Sequence, residues 1–233
     1  MERIRFDQKG FEEYFNEVFQ FIYRPDDDSK MLVDAVERLE SLIFDHIKPA
    51  VCLEIGSGSG YVINSISKNF GSKIYKYYAT DINPIAIETT LASGRANGVS
   101  NIHVVMTSLV DDIKKNLTHQ VDLLVTNPPF EPSPVEDVGR KGAICAWSAG
   151  KNGRAIIDRI IIELPDIMSD HGVALMCCVK ENDVNDIIRR MGEQDFYSNI
   201  VIEREGTTSS NYNRIYQQYV IAFSKTNYWA EPY

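Results

Sequence analysis

The chain has 233 residues, 44% of them hydrophobic, and carries 24 Lys and Arg against 33 Asp and Glu for a net charge of −9. That length and apolar content predict one domain of generous size, and the acidic balance counts against naked DNA or RNA as substrate. There is no run of 18 apolar residues and no signal peptide, so the expected location is the cytosol, with nuclear access open.

From the N-terminus, Phe11, Tyr14, Phe15, Val18, Phe19 and Ile22 form a helical apolar stripe expected to cover the core. Asp27, Asp28 and Ser29 predict the N-cap of a helix over about 30–46. Strands are expected over 50–55 and 74–80, with a helix near 61–70 between them. Asn83-Pro84 starts a helix running to about Asn97, where Gly98 ends it. Strands follow over 102–106 and 121–126. A helix over about 153–168, a strand over 172–179 and a helix over 183–192 come next. Strands near 196–204 and 215–224 predict an antiparallel hairpin, and the tail 226–233 is expected to be loosely held. Lys114-Lys115 and Arg189-Arg190 are isolated basic pairs expected on solvated helix faces. Cysteines 52, 145, 177 and 178 show no C-x-x-C spacing and read as core thiols in a reducing compartment. Histidines 46, 103, 119 and 171 are scattered, so no metal is assigned.

Two motifs carry chemistry. The first is CLEIGSGSG over 52–60, a strand running into a glycine loop. Glycines let the loop turn sharply and let a ligand approach the backbone. Tyr61 stands where a nicotinamide-type fingerprint needs glycine, and the Gly-Lys-Ser/Thr of a P-loop is missing. Glu54 before the glycines would repel a pyrophosphate and suits a ligand with positive character. Asp81, 21 residues beyond Gly60, is placed to accept hydrogen bonds from ribose hydroxyls. The second motif is Asn127-Pro128-Pro129-Phe130, at the end of the apolar run 121–126. Two adjacent prolines stiffen the backbone. The Asn amide offers one acceptor and two donors, and Phe130 a flat wall, together a slot for a planar amide or amino nitrogen. The plain alternative for this tetrapeptide alone is a strand-end turn.

Segment 127–152, with Pro132 and Pro134 and Gly139, Gly142 and Gly150, is long enough to suggest an ordered lid. Trp147 would either anchor that lid or touch substrate, and Asn152-Gly153-Arg154 reads as a turn.

With the segments 23–29, TDINP (80–84), VDLLVTNPPF (121–130), AWSAGKNGRAIIDR (146–159) and VKEND (179–183), the chain resembles the HemK-like glutamine methyltransferases. The likeness is to the eukaryotic and archaeal branch, which acts on the class 1 translation termination factor, and it covers roughly residues 20–224. It implies a class I S-adenosylmethionine-dependent methyltransferase: an α/β Rossmann-like fold with a seven-stranded, mostly parallel sheet and a C-terminal antiparallel hairpin. N-terminal helices over 1–48 would cover the cofactor site of a methyltransferase unit over 49–225, leaving the tail. The implied cofactor residues are Ser29, Glu54, Gly56, Gly58, Asp81, Ile82, Ser108, Leu109 and Asn127. The implied catalytic residues are Asn127, Pro128, Pro129 and Phe130. The family has tyrosine at Phe130, and Asp-Leu where this chain has Ser108-Leu109. The expected reaction is N5-methylation of the glutamine in the Gly-Gly-Gln loop of the termination factor.

Two other classes stay open on the residues alone. One is a methyltransferase acting on adenine, on a guanine amino group or on a histone lysine; the other is a cofactor-binding module without catalysis. The resemblance also implies a small zinc-binding activator protein as partner. Edge strand 101–106, mostly apolar and without Lys or Pro, is where it is expected to pair. A local loop or the N-terminal helix is the alternative cover for that edge.

Overall fold

The computed structural model describes residues 18–134, 136, 138, 148–208 and 211–230. Most of the expected stripe over 11–22, Cys145, Trp147 and the middle of the expected lid lie outside the described residues.

Seven strands form one sheet in the order β3-β2-β1-β4-β5-β7-β6. They are β1 (Val51–Ile55), β2 (Lys76–Asp81), β3 (Ile102–Met106), β4 (Val121–Thr126), β5 (Met168–Val179), β6 (Tyr197–Thr208) and β7 (Asn211–Ser224). Strands β1 to β5 pair in parallel, while β7 runs antiparallel to both β5 and β6. Every residue of β1 and β4 is buried. Parallel strands covered on both faces demand such continuous apolar runs. The charged exceptions are Glu54 near the end of β1 and Asp122, which is buried at the start of β4. Asp122 is satisfied there by the amides of Ala50 (2.8 Å) and Val51 (3.1 Å) and by the Ser169 hydroxyl (2.7 Å).

The helices are α1 (Asp27–Arg38), α2 (Tyr61–Phe70), α3 (Pro84–Ala96), the short α4 (Lys114–Leu117), α5 (Ala155–Ile167) and α6 (Val184–Gly192). Helices α1 and α2 pack their apolar residues on one face of the sheet, among them Met31, Leu32, Ile63 and Ile66. Helices α5 and α6 cover the other face with Ile157, Ile160, Ile161, Leu164 and Ile187. Asn83 caps α3 through a bond from the Ile85 amide, and Pro84 occupies its first position, as the sequence predicts.

Several expectations need correction. Helix α1 starts at Asp27, not near residue 30, because extended Asp26 is the cap and accepts from the Asp27 amide at 2.9 Å. It ends at Arg38. A wider-gauge turn, Leu42–Ile47, then brings Leu42, Ile43 and Ile47 into the core. Residues 18–20 make one 3-10 turn rather than the end of an α-helix. Lys114 is not simply solvated, since its ammonium lies 2.7 Å from both Glu163 and Asp166 and ties α4 to α5. Arg190 reaches Asp158 at 2.5 Å across from α6 to α5. Strand β5 begins at Met168, four residues before the expected 172. Cys52, Cys177 and Cys178 are buried free thiols, as expected.

Candidate active site

The sheet order reverses between β1 and β4, and crevices at such switch points, beyond the carboxyl ends of the strands, are where open α/β sheets take ligands. A cavity of about 280 Å³ opens there. It is lined by the loops that follow β1, β2, β3 and β4 and by the start of α1. The structure brings every predicted site residue to its wall: Ser29, Glu54, Gly56, Gly58, Asp81, Ile82, Ser108, Leu109 and Asn127 to Phe130.

Glu54, next to last in the fully buried β1, accepts from the Ile63 amide at 3.0 Å, at the start of α2. Burial pushes its carboxyl well up, and the charge of Asp81 adds to the rise. Asp81 holds the glycine loop: one carboxylate oxygen accepts from the Gly58 amide at 2.9 Å, the other from the Asn83 amide at 2.9 Å. Burial raises its pKa against those bonds. Gly56 (φ +76°) and Gly58 (φ +52°) adopt left-handed backbone, and a Cβ on either would meet nothing within 4 Å. The loop therefore leaves a cradle along the cavity. Ile82 is 65% exposed at its rim.

At the far side stands Asn127, first residue after β4. Thr126 before it is pinned by its hydroxyl to the Ile55 carbonyl at 2.9 Å. The Asn127 side chain donates to the carboxylate of Asp28, which also accepts from the Tyr23 hydroxyl (2.7 Å) and the Ser29 amide (2.6 Å). Burial pushes Asp28 up to about 6 against these three donors. The NH2 end of the Asn127 amide thus engages Asp28, while its oxygen end does not. That Oδ1 is buried and has no hydrogen-bond partner. Native structures rarely leave such an acceptor unmade, because it costs about 1–3 kcal/mol. Phe130, 5% exposed, closes the slot.

Asp28 escapes sequence reasoning, which reads it as part of a helix cap. Asp26 does the capping, and the turn carries Asp28 inward instead. Arg159 is a second missed lining residue: it donates to the Ser108 hydroxyl at 3.0 Å. The Ser108 oxygen is thus already engaged at the end of the cavity where the family has aspartate.

The Methyltransferase small domain family matches residues 20–141. Methyltransferase HEMK2 of Homo sapiens is 36% identical over 187 residues, 80% of this chain and 85% of that protein. The chain belongs to this methyltransferase family. It is an S-adenosylmethionine-dependent methyltransferase. The eRF1 methyltransferase catalytic subunit mtq2 of Schizosaccharomyces pombe is 29% identical over 216 residues, 85% of this chain and 90% of that protein. Among solved structures, the E. cuniculi Mtq2-Trm112 complex contains a chain that superposes with a TM-score of 0.60 at 20% identity, covering 88% of this chain and 99% of that one. At that identity the likeness concerns the fold.

The cavity fits the family's cofactor. Two carboxylates line one cavity, both with proton affinity raised by burial, Glu54 further by the charge of Asp81, so a ligand bringing positive charge and hydroxyl donors relieves both. The two oxygens of Asp81 accept the Gly58 and Asn83 amides separately, and the carboxylate keeps lone pairs for a diol.

Proposed function

We infer that this methyltransferase N5-methylates the glutamine of the Gly-Gly-Gln loop of the class 1 translation termination factor. The observation that carries this reading is the unpartnered, buried Oδ1 of Asn127, on a residue that lines the cavity together with Pro128, Pro129 and Phe130. A primary amide offers what that oxygen lacks, an N–H donor on a flat group. The glycines beside the glutamine would let it extend into a narrow slot. The S. pombe relative is named for methylation of eRF1, which supports the same acceptor.

Glu54, the glycine loop, Asp81, Ile82, Ser29, Ser108 and Leu109 would hold the cofactor, which supplies a methyl group already activated by its sulfonium. The protein's own task is positioning. Asn127 Oδ1 and the Pro128 carbonyl accept from the amide NH2, and Phe130 packs against the amide plane. Acceptors at the nitrogen favour the positive charge that grows there, and this is how a poor nucleophile is made competent. Asp28 holds Asn127 in the one orientation that leaves Oδ1 free for the acceptor. The apolar walls exclude water. Phe130 keeps the flat surface of the family's tyrosine without its hydroxyl.

We also propose that a small zinc-binding activator adds a strand to β3. The Mtq2 chain of known structure is solved as a complex with Trm112. In this chain β3 pairs on one side with β2, and its other edge leaves His103 and Met106 exposed. Any zinc would belong to the partner. Buried thiols at Cys52, Cys177 and Cys178 are consistent with work in the cytosol.

Incubation with labelled donor and the termination factor tests the acceptor. Label is expected on the factor and absent when its glutamine is changed to asparagine, which is one methylene shorter. Label that persists on the changed factor, or that goes to nucleic acid instead, overturns the assignment.

A further inference from the structure

Two sequence segments, Asn152-Gly153-Arg154 and the run 180–183 after β5, have no part in the site so far. The structure brings both to a single backbone atom, the carbonyl oxygen of Phe130. Asn182 is fully buried. Its NH2 donates to the Phe130 carbonyl at 2.7 Å and to the Asn152 carbonyl at 2.9 Å, with the Gly153 carbonyl at 3.3 Å. Its side-chain oxygen accepts from the Val179 amide at 2.8 Å, at the end of β5. Every polar atom of that amide is therefore spent. From another side, Gly153 presses so closely that a Cβ there would lie 1.8 Å from the Phe130 oxygen and 2.5 Å from the Asn182 nitrogen. With φ at +66°, this position admits glycine for two separate reasons. Arg154 then donates to the Asn182 carbonyl at 2.9 Å while its other arm holds Asp158 (2.7 Å) and Asp186 (3.0 Å).

The acceptor slot has reason to need such a clamp. Pro128 and Pro129 have no N–H, so this stretch of the loop cannot tether itself with amide donors. At its start Thr126 is fixed to β1. At its end the Phe130 carbonyl is the acceptor that remains to be held. The phenyl ring has no hydroxyl of its own to anchor it.

We propose that Asn182, supported by Gly153 and Arg154, is a positioning residue for methyl transfer: it fixes the Phe130 carbonyl and with it the wall against which the acceptor amide lies. The proposal rests on the reading of Asn127 to Phe130 as the acceptor slot. Asn182 touches neither reacting atom, and it acts through Phe130. A displacement of about 1 Å at such a wall is enough for a rate loss on the order of 10²-fold.

Three variants and two readouts test it. Asn182→Asp keeps the size and the acceptor for Val179 but cannot donate to Phe130. Gly153→Ala pushes the same carbonyl from its other side. Arg154→Lys is the mildest, loosening the Asn182 backbone while keeping the charge. Turnover on the termination factor is expected to fall roughly 10- to 100-fold in Asn182→Asp and Gly153→Ala, with a smaller loss in Arg154→Lys. Cofactor Kd should stay within about two-fold in all three, because the clamp lies on the acceptor side. The second readout needs no substrate. With 4-fluorophenylalanine at position 130, the ¹⁹F resonance should shift or broaden in each folded variant. Variants that fold with unchanged kcat and an unchanged ¹⁹F line overturn the proposal. So does a parallel loss of thermal midpoint and cofactor affinity with the ¹⁹F line intact, the signature of a merely structural role. If the unmodified protein fails to label the factor, the acceptor assignment falls, while the ¹⁹F experiment still decides the clamp.

Discussion

Asn127 holds a buried carboxylate with one end of its amide and leaves the other end without a partner. This asymmetry makes it the residue on which turnover depends most. Asn127→Ala should lower kcat on the order of 10²-fold or more while changing cofactor Kd far less, the pattern of a lost preorganised polar group. Wild-type turnover by that variant would refute the slot mechanism. Asp28 adds a pH dependence with a definite sign. Its carboxyl is raised from 3.8 to about 6 by burial, so the folded protein binds the extra proton between those values and the unfolded chain does not. Its ionisation therefore costs stability as pH rises through that window, and the full cost is present above about 6. Activity runs the other way. The ionised carboxylate accepts from Asn127, and protonation weakens that hold. The acid limb of kcat should therefore fall with an apparent pKa near 6. Asp28→Asn should have lower kcat, no such limb, and greater stability at neutral pH. A profile with the same limb in both proteins would assign it to another group.

At the scale of elements, the contrast between β1 and β3 matters most. Strand β1 sits between β2 and β4 and is buried throughout, whereas among the described residues β3 pairs with β2 alone. None of its five residues is fully buried, and Met106 is 58% exposed. Natural edge strands usually carry Lys or Pro as a guard, and this one has neither. The chain alone should be poorly soluble, and co-expression with the activator should yield a 1:1 complex. Val104→Lys should break the complex without unfolding the domain, as judged by size-exclusion chromatography and circular dichroism. A chain that is soluble, monomeric and fully active by itself would rule out an obligate partner.

At the scale of the whole molecule, the cavity belongs to no single element. Its walls come from loops after β1, β2, β3 and β4, held in register by parallel pairing, and from α1 on one face of the sheet. Cofactor binding should thus stabilise the entire fold, by about 2.7 kcal/mol at a hundred times Kd. Asp81→Ala leaves a diol unpaired and frees the amides of Gly58 and Asn83, so affinity should fall by roughly 1–3 kcal/mol. Isothermal titration of both proteins measures this, and equal affinities would sink the ribose assignment. The cofactor-induced rise in thermal midpoint should shrink in parallel.

Local chemistry determined much of this protein by itself. Apolar runs flanked by glycine and proline marked β1 and β4. Asn83-Pro84 marked the start of α3, and the glycine loop, Asp81 and Asn127 to Phe130 marked the lining of one cavity. These signals are legible because each is a short-range demand: a strand buried on both faces, a helix cap, a backbone without N–H. Tertiary structure decided the rest. Asp28 looks like a cap in the sequence because Asp26, Asp27 and Asp28 are chemically alike, and only the packing of α1 sends one of them inward. Asn182 and Gly153 meet the Phe130 carbonyl from 52 and 23 positions further along the chain, a contact that no local pattern encodes. Lys114 and Arg190 resemble solvated charges until α5 supplies their partners. A side chain's neighbours along the chain set its backbone, but its hydrogen-bond partners are chosen by the sheet, which brings distant segments within reach.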